Sequence, residues 1–121
     1  MVLDEIHQLN DPARVLKIGA DAFPNLVLEH LQARFPENPP RYWRDKAGRE
    51  VDFVVSHRRD QVDAIECKWN PDAFDSAALK AFRGCYPHGR NFLVTPSGEI
   101  PYTKRFGEME VRICTPTELV P

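Results

Sequence analysis

Two acidic residues and one lysine, placed in two neighbouring apolar runs, give this sequence its clearest chemical signal. Asp52 belongs to the first run, and Glu66 and Lys68 belong to the second. Both runs are rich in β-branched and aromatic residues and are separated by a polar loop, so they are predicted to be adjacent β-strands. The runs span residues 50–55 and 62–69. In a hairpin centred near Arg59, Asp52 lies opposite Glu66, with Cβ atoms about 5 Å apart.

Two carboxylates at that separation repel each other, and this repulsion disfavours their joint ionisation unless a cation lies between them. Strict alternation along a strand points Asp52 away from the side of Val51 and Phe53, and it places Glu66 and Lys68 on one face. The pattern therefore predicts a site that can hold a divalent metal ion, with a lysine beside it that can orient a water molecule.

The same residues carry a resemblance to a known superfamily. An acidic residue in one apolar strand, followed in the next strand by Glu-x-Lys, resembles the PD-(D/E)xK nucleases, and here the residues are Asp52, Glu66 and Lys68. The longer stretch 42–54, with its Trp-Arg pair, Gly turn and Glu-Val-Asp-Phe segment, looks like the nuclease-like domain at the C-terminus of many bacterial and archaeal AAA-type ATPases. The resemblance covers residues 27–95.

A second resemblance lies near the N-terminus. Residues 2–7 look like a Walker B strand end, with apolar residues before Asp4 and Glu5, and residues 11–17 also fit the ATPase module of the same family. The sequence has no Gly-x-x-x-x-Gly-Lys-Ser/Thr loop to bind triphosphate, so ATP hydrolysis is not expected. The predicted organisation is an N-terminal helical segment that resembles a Walker B fragment, residues 1–26, and a nuclease-like domain, residues 27–121.

Composition limits the class of protein further. The chain has 121 residues, of which 42% are hydrophobic and 28% charged, as in one small soluble globular domain. No apolar run approaches the ~20 residues that span a bilayer, and no secretory signal pattern is seen, so a cytoplasmic location and no membrane partner are expected. Three widely spaced cysteines argue against a disulfide framework. With a formal net charge of −2, a nucleic-acid partner would need a local basic surface.

The order of predicted elements gives an α/β fold. Helices are predicted over residues 12–35, with a break at Phe23-Pro24, over 74–85 and briefly from Thr115, and strands over 41–46, 50–56, 62–68, 90–95 and 111–114. The crossover through the middle helix is predicted to leave its flanking strands parallel. The resemblance implies a restriction-endonuclease-like core, in which a mixed sheet of about four to five strands is flanked by helices.

The resemblance also implies a Mg²⁺- or Mn²⁺-dependent endonuclease that hydrolyses DNA phosphodiesters. Asp52, Glu66 and the backbone carbonyl of Cys67 would hold the Mg²⁺ or Mn²⁺, hard cations that favour oxygen ligands. Lys68 would orient or deprotonate a metal-bound water, or stabilise charge on the phosphate. Glu29, in the first helix, matches the further acidic residue that many superfamily members add, and it is equally explained as an ordinary surface residue.

DNA is the partner that this interpretation expects, and a homodimer is compatible with it. Six basic residues along the predicted hairpins are candidates for neutralising DNA phosphates: Arg41, Arg44, Lys46, Arg49, Arg58 and Arg59. They are alternatively a solvated surface. Trp43 and Trp69 could stack on bases, although packing in the core or at an edge explains both.

Three interpretations of function remain open on the sequence. The first is the nuclease. The second is a non-catalytic nucleic-acid-binding or protein-interaction module that keeps a vestigial site, and the third is an assembly or dimerisation domain without a nucleic-acid partner. Binding of Mn²⁺ favours the first, and salt-dependent DNA binding without metal favours the second. Cys85 and His88 supply only half of a zinc site, so structural zinc is not expected.

Overall fold

A mixed β-sheet runs through the part of the chain that the structure describes. The computed structural model describes residues 6–8, 22–58, 60–96 and 101–119. Within these ranges the sheet has seven strands, in the order β1-β2-β3-β4-β5-β7-β6. The strands are β1 Ile6–Gln8, β2 Arg41–Arg44, β3 Glu50–Arg58, β4 Gln61–Cys67, β5 Asn91–Val94, β6 Tyr102–Phe106 and β7 Met109–Cys114.

The strand direction changes in the middle of the sheet. Strands β1 to β4 are successive antiparallel neighbours, β4, β5 and β7 run parallel, and β6 returns antiparallel to β7. Helix α2, Ala77–Cys85, lies in the connection from β4 to β5. Parallel neighbours need a long crossover of this kind, whereas antiparallel ones need only a turn. The predicted α/β class, the mixed sheet and the parallel crossover are therefore confirmed.

Helix α1, Ala22–Arg34, covers one face of the sheet. Phe23, Val27 and Leu31 recur every four residues, so they lie on one side of the helix, and all three are buried against β3 and β4. Pro24 lies in the first turn, where its missing N–H leaves no helical hydrogen bond unmade. The described helix runs from Ala22 through Phe23-Pro24, and the segment before Ala22 lies outside the described residues, so the predicted break between the two parts of the helix stays a prediction.

Helix α2 covers the opposite face. Its residues Leu79 and Phe82 are buried, and the Phe82 ring meets the Trp43 ring edge-on, with centroids 5.5 Å apart. Alternate residues of the central strands enter the two cores, since Ile65 packs under α1 and Ala64 packs under α2. Covering on both faces explains why the central strands are apolar along almost their whole length.

Two strands at the ends of the sheet order, β1 and β6, were not among the four to five predicted. Strand β6 has the sequence Tyr-Thr-Lys-Arg-Phe and is largely exposed, so it lacks the apolar alternation by which half-buried strands are recognised. Strand β1 adds Ile6–Gln8 to the edge of β2, and the predicted domain boundary after residue 26 lies inside α1. The Walker B residues Asp4 and Glu5, the segment 11–17 and the predicted helix over 12–21 lie outside the described residues.

Candidate functional site at the carboxyl edge of the sheet

The predicted register of the central hairpin is confirmed. Phe53 on β3 pairs with Ile65 on β4, so Asp52 and Glu66 are the next positions along the two strands. At this point each strand donates a backbone hydrogen bond to a side chain of the other. The Cys67 N–H donates to Asp52 Oδ2 at 2.9 Å, and the Asp52 N–H donates to Glu66 Oε1 at 2.9 Å. We call Asp52 and Glu66 the acidic pair.

Asp52 lies at an irregularity in β3. Strict alternation predicts that Val51 and Phe53 share a face, but Phe53 packs under α1 and Val51 packs under α2. The prediction of strict alternation at Asp52 is therefore wrong. The cause is a shift in the pairing of β2 with β3, where the three steps from Val54 to Val51 face only two steps on β2. An extra residue of this kind bends a strand and redirects its side chains, often beside functional sites.

Burial and hydrogen bonding fix the acidic pair in place. Glu66 is only 7% exposed, and Asp52 is half-buried. Ile65 and Cys67 both enter the core under α1, so Glu66 points to the other face, as predicted. Hydrogen bonds from backbone N–H groups to carboxylates are charge-assisted and stronger than neutral ones. The pair is therefore positioned by rigid backbone on both strands, which is the kind of support that a preorganised site requires.

The acidic pair lies where the parallel strands end. The Lys68 N–H donates to the Val94 carbonyl oxygen and the Thr95 N–H donates to the Cys114 carbonyl oxygen, each at 2.9 Å, so β4, β5 and β7 end at one edge of the sheet. Open α/β sheets bind their ligands outside the carboxyl ends of parallel strands. Lys68 is exposed directly after β4. The position of this site in the fold is therefore one that proteins commonly use for binding.

The oxygen atoms at this edge define which metal could be held there. Among the described residues, no group of three or more His, Cys, Asp or Glu side chains is arranged to hold a metal ion. From the part of the chain that the structure describes, a cation would therefore draw on the acidic pair, the backbone carbonyl of Cys67 and water. An all-oxygen set that leaves room for several waters suits Mg²⁺ or Mn²⁺. Cys67 itself points into the core under α1, and its side chain is not part of this set.

Glu29 is placed differently from the acidic pair. Its side chain is exposed on α1. Helix α1 packs on one face of the sheet, and the Glu66 side chain points to the opposite face. The two carboxylates of the acidic pair are joined through hydrogen bonds to each other's strands, whereas Glu29 is an exposed helix residue in this arrangement. Its participation in the site stays a prediction.

Of the six basic residues, the five whose backbone the structure describes do not all lie at one end of β3. Arg41 and Lys46 are exposed, whereas the Arg44 guanidinium pairs with Glu50 at 2.8 Å and that of Arg49 pairs with Asp45 at 2.6 Å. These four belong to the β2–β3 hairpin, whose turn lies at the Asp52 end of β3. Arg58 ends β3, which is nine residues and roughly 25 Å long, at the opposite end. The Arg58 side chain and Arg59 lie outside the described residues.

Thr95 supports this edge of the sheet, although it was not among the residues predicted for the site. Thr95 is buried, and its hydroxyl donates to the Trp69 carbonyl oxygen at 3.1 Å. It thereby ties the segment after β4 to the end of β5. The available clue is its place as the first polar residue after the apolar strand Asn91–Val94, at the same edge as Glu66.

Fold and site together define a small α/β domain with an acidic pair at the carboxyl edge of a mixed sheet. A family described as "Domain of unknown function (DUF4143)" matches residues 21–115, and the chain belongs to this family, which is often found in AAA-ATPase-associated proteins. No curated protein matches the chain. Within the described ranges, neither helix has the length and apolar character that crossing a membrane would require.

Proposed function

We propose that this chain is a metal-dependent nuclease-like domain that acts on DNA phosphodiesters. The observation that supports the proposal is that each carboxylate of the acidic pair, at the carboxyl edge of the sheet, accepts a hydrogen bond from a backbone N–H of the other residue's strand. Adjacent carboxylates repel, and a divalent cation relieves that repulsion. The Glu-x-Lys spacing that resembles the PD-(D/E)xK nucleases supports the same interpretation.

Each residue of the site has a role in this proposal. Asp52 and Glu66, with the Cys67 carbonyl, would hold a Mg²⁺ or Mn²⁺ ion, and such an ion, when bound, lowers the pKa of water. Lys68 is exposed beside them, so its ammonium can orient that water or stabilise negative charge that develops on the phosphate. Glu29 is the candidate for a further acidic contribution from α1.

The DNA backbone would lie along the β2–β3 hairpin. Arg41 and Lys46 are exposed there and can neutralise phosphates, whereas Arg44 and Arg49 are already paired with carboxylates. Neutralising phosphates releases counterions, so binding should weaken as salt concentration rises. The formal net charge of −2 makes this local surface, rather than the whole molecule, the source of attraction.

A second candidate is a non-catalytic nucleic-acid-binding or protein-interaction module that keeps a vestigial site. The observation in its favour is that the described residues bring no third metal-ligating side chain beside the acidic pair. Such a module would bind DNA through Arg41 and Lys46 without needing a metal.

A cleavage assay separates the two candidates. The purified chain with Mn²⁺ or Mg²⁺ is expected to nick or cut DNA, and chelation is expected to abolish the activity. Asp52→Asn and Glu66→Gln each keep the hydrogen-bond acceptor but remove the charge that holds a cation, so each should lose cleavage and keep the fold. Glu110→Gln, at an exposed carboxylate on β7, is the matched control and should cut normally.

Two results would count against the nuclease. Cleavage that persists in both acidic-pair variants identifies a contaminating enzyme. A wild type that neither binds metal nor cuts any DNA or RNA form, but binds DNA in a salt-dependent way, supports the non-catalytic module.

A further inference from the structure

The two tryptophans of this chain have opposite environments. Trp43 is 1% exposed and packs against Phe82, whereas Trp69 is 66% exposed. Packing therefore accounts for Trp43 and leaves most of the Trp69 ring in solvent. A large aromatic ring held in water gives up the hydrophobic stabilisation that burial provides, and exposed aromatic residues are typical of binding sites.

The segment that carries Trp69 is anchored on both sides. The Lys68 N–H donates to the Val94 carbonyl oxygen at 2.9 Å, and the Trp69 carbonyl oxygen accepts from the Thr95 hydroxyl at 3.1 Å. Directly afterwards, the Asn70 side chain accepts from the Asp72 N–H at 3.0 Å and caps a short 3₁₀ helix, Pro71–Ala73. A ring on a fixed backbone loses little conformational entropy when a ligand stacks on it.

The ring also has a defined orientation at the edge of the sheet. Its centroid lies 5.5 Å from that of Phe23 on α1, with the planes tilted by 45°. The Trp69 ring therefore lies on the side of the sheet that α1 covers, whereas the Glu66 side chain points to the other side. Three residues of extended chain span at most about 10 Å, so Trp69 and Glu66 are close neighbours across the carboxyl edge. A ligand that contacts both must cross this edge.

We propose that Trp69 is a base-stacking residue, and that the acidic pair serves single-stranded or otherwise unpaired nucleic acid. This inference rests on the proposed function and names its substrate class. Aromatic faces stack on any base, but the bases of an intact duplex are already stacked and paired. A flexible single strand can cross the edge with one base on Trp69 and a phosphate near Lys68, whose exposed positive charge complements it.

Fluorescence and anisotropy test this inference without any need for catalysis. The full chain is titrated in chelator with single-stranded oligothymidylate and with a duplex of equal length. Single strands are expected to quench tryptophan emission and to bind more tightly than the duplex. Trp69→Ala should lose the quenching and bind the single strand about 5- to 100-fold more weakly, and Trp69→Phe should recover part of the affinity.

Tyr102→Ala is the matched control, because Tyr102 is an exposed aromatic residue on the edge strand β6, and it should bind as the wild type does. Unchanged single-strand affinity in Trp69→Ala, or absence of quenching by every oligonucleotide, overturns the inference and leaves the ring as a surface for docking protein. The nuclease proposal fails separately: single-strand binding through Trp69 with no cleavage in Mn²⁺ contradicts the nuclease and leaves the stacking role standing.

Discussion

Asp52 and Glu66 are held by each other's strands. The Asp52 N–H donates to the Glu66 carboxylate, and the Asp52 carboxylate accepts from the N–H that directly follows Glu66, both at 2.9 Å. The two side chains therefore take the place of ladder hydrogen bonds at the end of the β3–β4 pair. The same contacts that hold β3 and β4 together also bring two acidic side chains to the same place. The proposed metal site depends on this arrangement.

Lys68→Ala should separate metal binding from turnover. The lysine is exposed and holds no metal, so Mn²⁺ affinity should stay within about twofold of the wild type, while cleavage should fall about a hundredfold or more. The measurement is a pair of experiments on one preparation, calorimetric Mn²⁺ titration and single-turnover cleavage. Lys104→Ala, which removes an exposed lysine from β6, is the control. Normal cleavage by Lys68→Ala would remove the lysine from the mechanism.

Arg83 on α2 should be costly to replace. Its guanidinium donates hydrogen bonds at 2.8–3.1 Å to five acceptors: the carbonyl oxygens of Val62, Tyr86, His88 and Arg90, and the Asn91 side chain. Burial lowers the pKa of Arg83 to about 10. Arg83→Lys keeps the charge but loses the planar fork, so the free energy of unfolding in urea should fall by about 2–4 kcal/mol.

The control for Arg83 is Arg105→Lys on β6, whose guanidinium makes an exposed ion pair with Glu110 at 3.4 Å. That change should alter the free energy of unfolding by no more than about 0.5 kcal/mol. Equal effects of the two substitutions would show that the loop between α2 and β5 does not depend on Arg83.

The three cysteines should differ in reactivity. All three are thiols, of which Cys85 is exposed while Cys67 and Cys114 are buried. Burial raises the pKa of the Cys114 thiol to about 11, so very little reactive thiolate forms there near neutral pH. A thiol reagent at pH 8 should label the native protein rapidly at Cys85, and unfolding should expose the other two. Rapid labelling of Cys85→Ser would contradict the burial of the remaining thiols.

The hairpin that carries the acidic pair could be predicted because two local signals agree. Its strands are β-branched and apolar, and the polar loop between them sets a pairing centred near Arg59, which fixes Asp52 opposite Glu66. The irregularity at Asp52 could not be predicted from the β3–β4 hairpin alone, because it depends on how β2, which is not part of that hairpin, pairs with β3.

The solvent exposure of individual side chains was the property that the sequence predicted least well. Trp43 and Trp69 are the same residue type, each with a basic residue next to it in the sequence, yet one is in the core and the other is in solvent. Strand β6 was missed for a related reason, since an edge strand with no buried face has no alternation to detect. The exposure of the two tryptophans and of β6 depends on which elements pack beside them, and the tertiary structure determines that packing.

Calorimetric titration of Mn²⁺ into the metal-free full chain tests the central claim most directly, because that claim is that the acidic pair holds a divalent cation. The wild type should bind one Mn²⁺ ion, and Asp52→Asn and Glu66→Gln should each weaken binding at least about tenfold, since each removes one of two charged ligands. Glu110→Gln should match the wild type. No binding by the wild type, or Mn²⁺ affinity equal to that of the wild type in both acidic-pair variants, would contradict the claim.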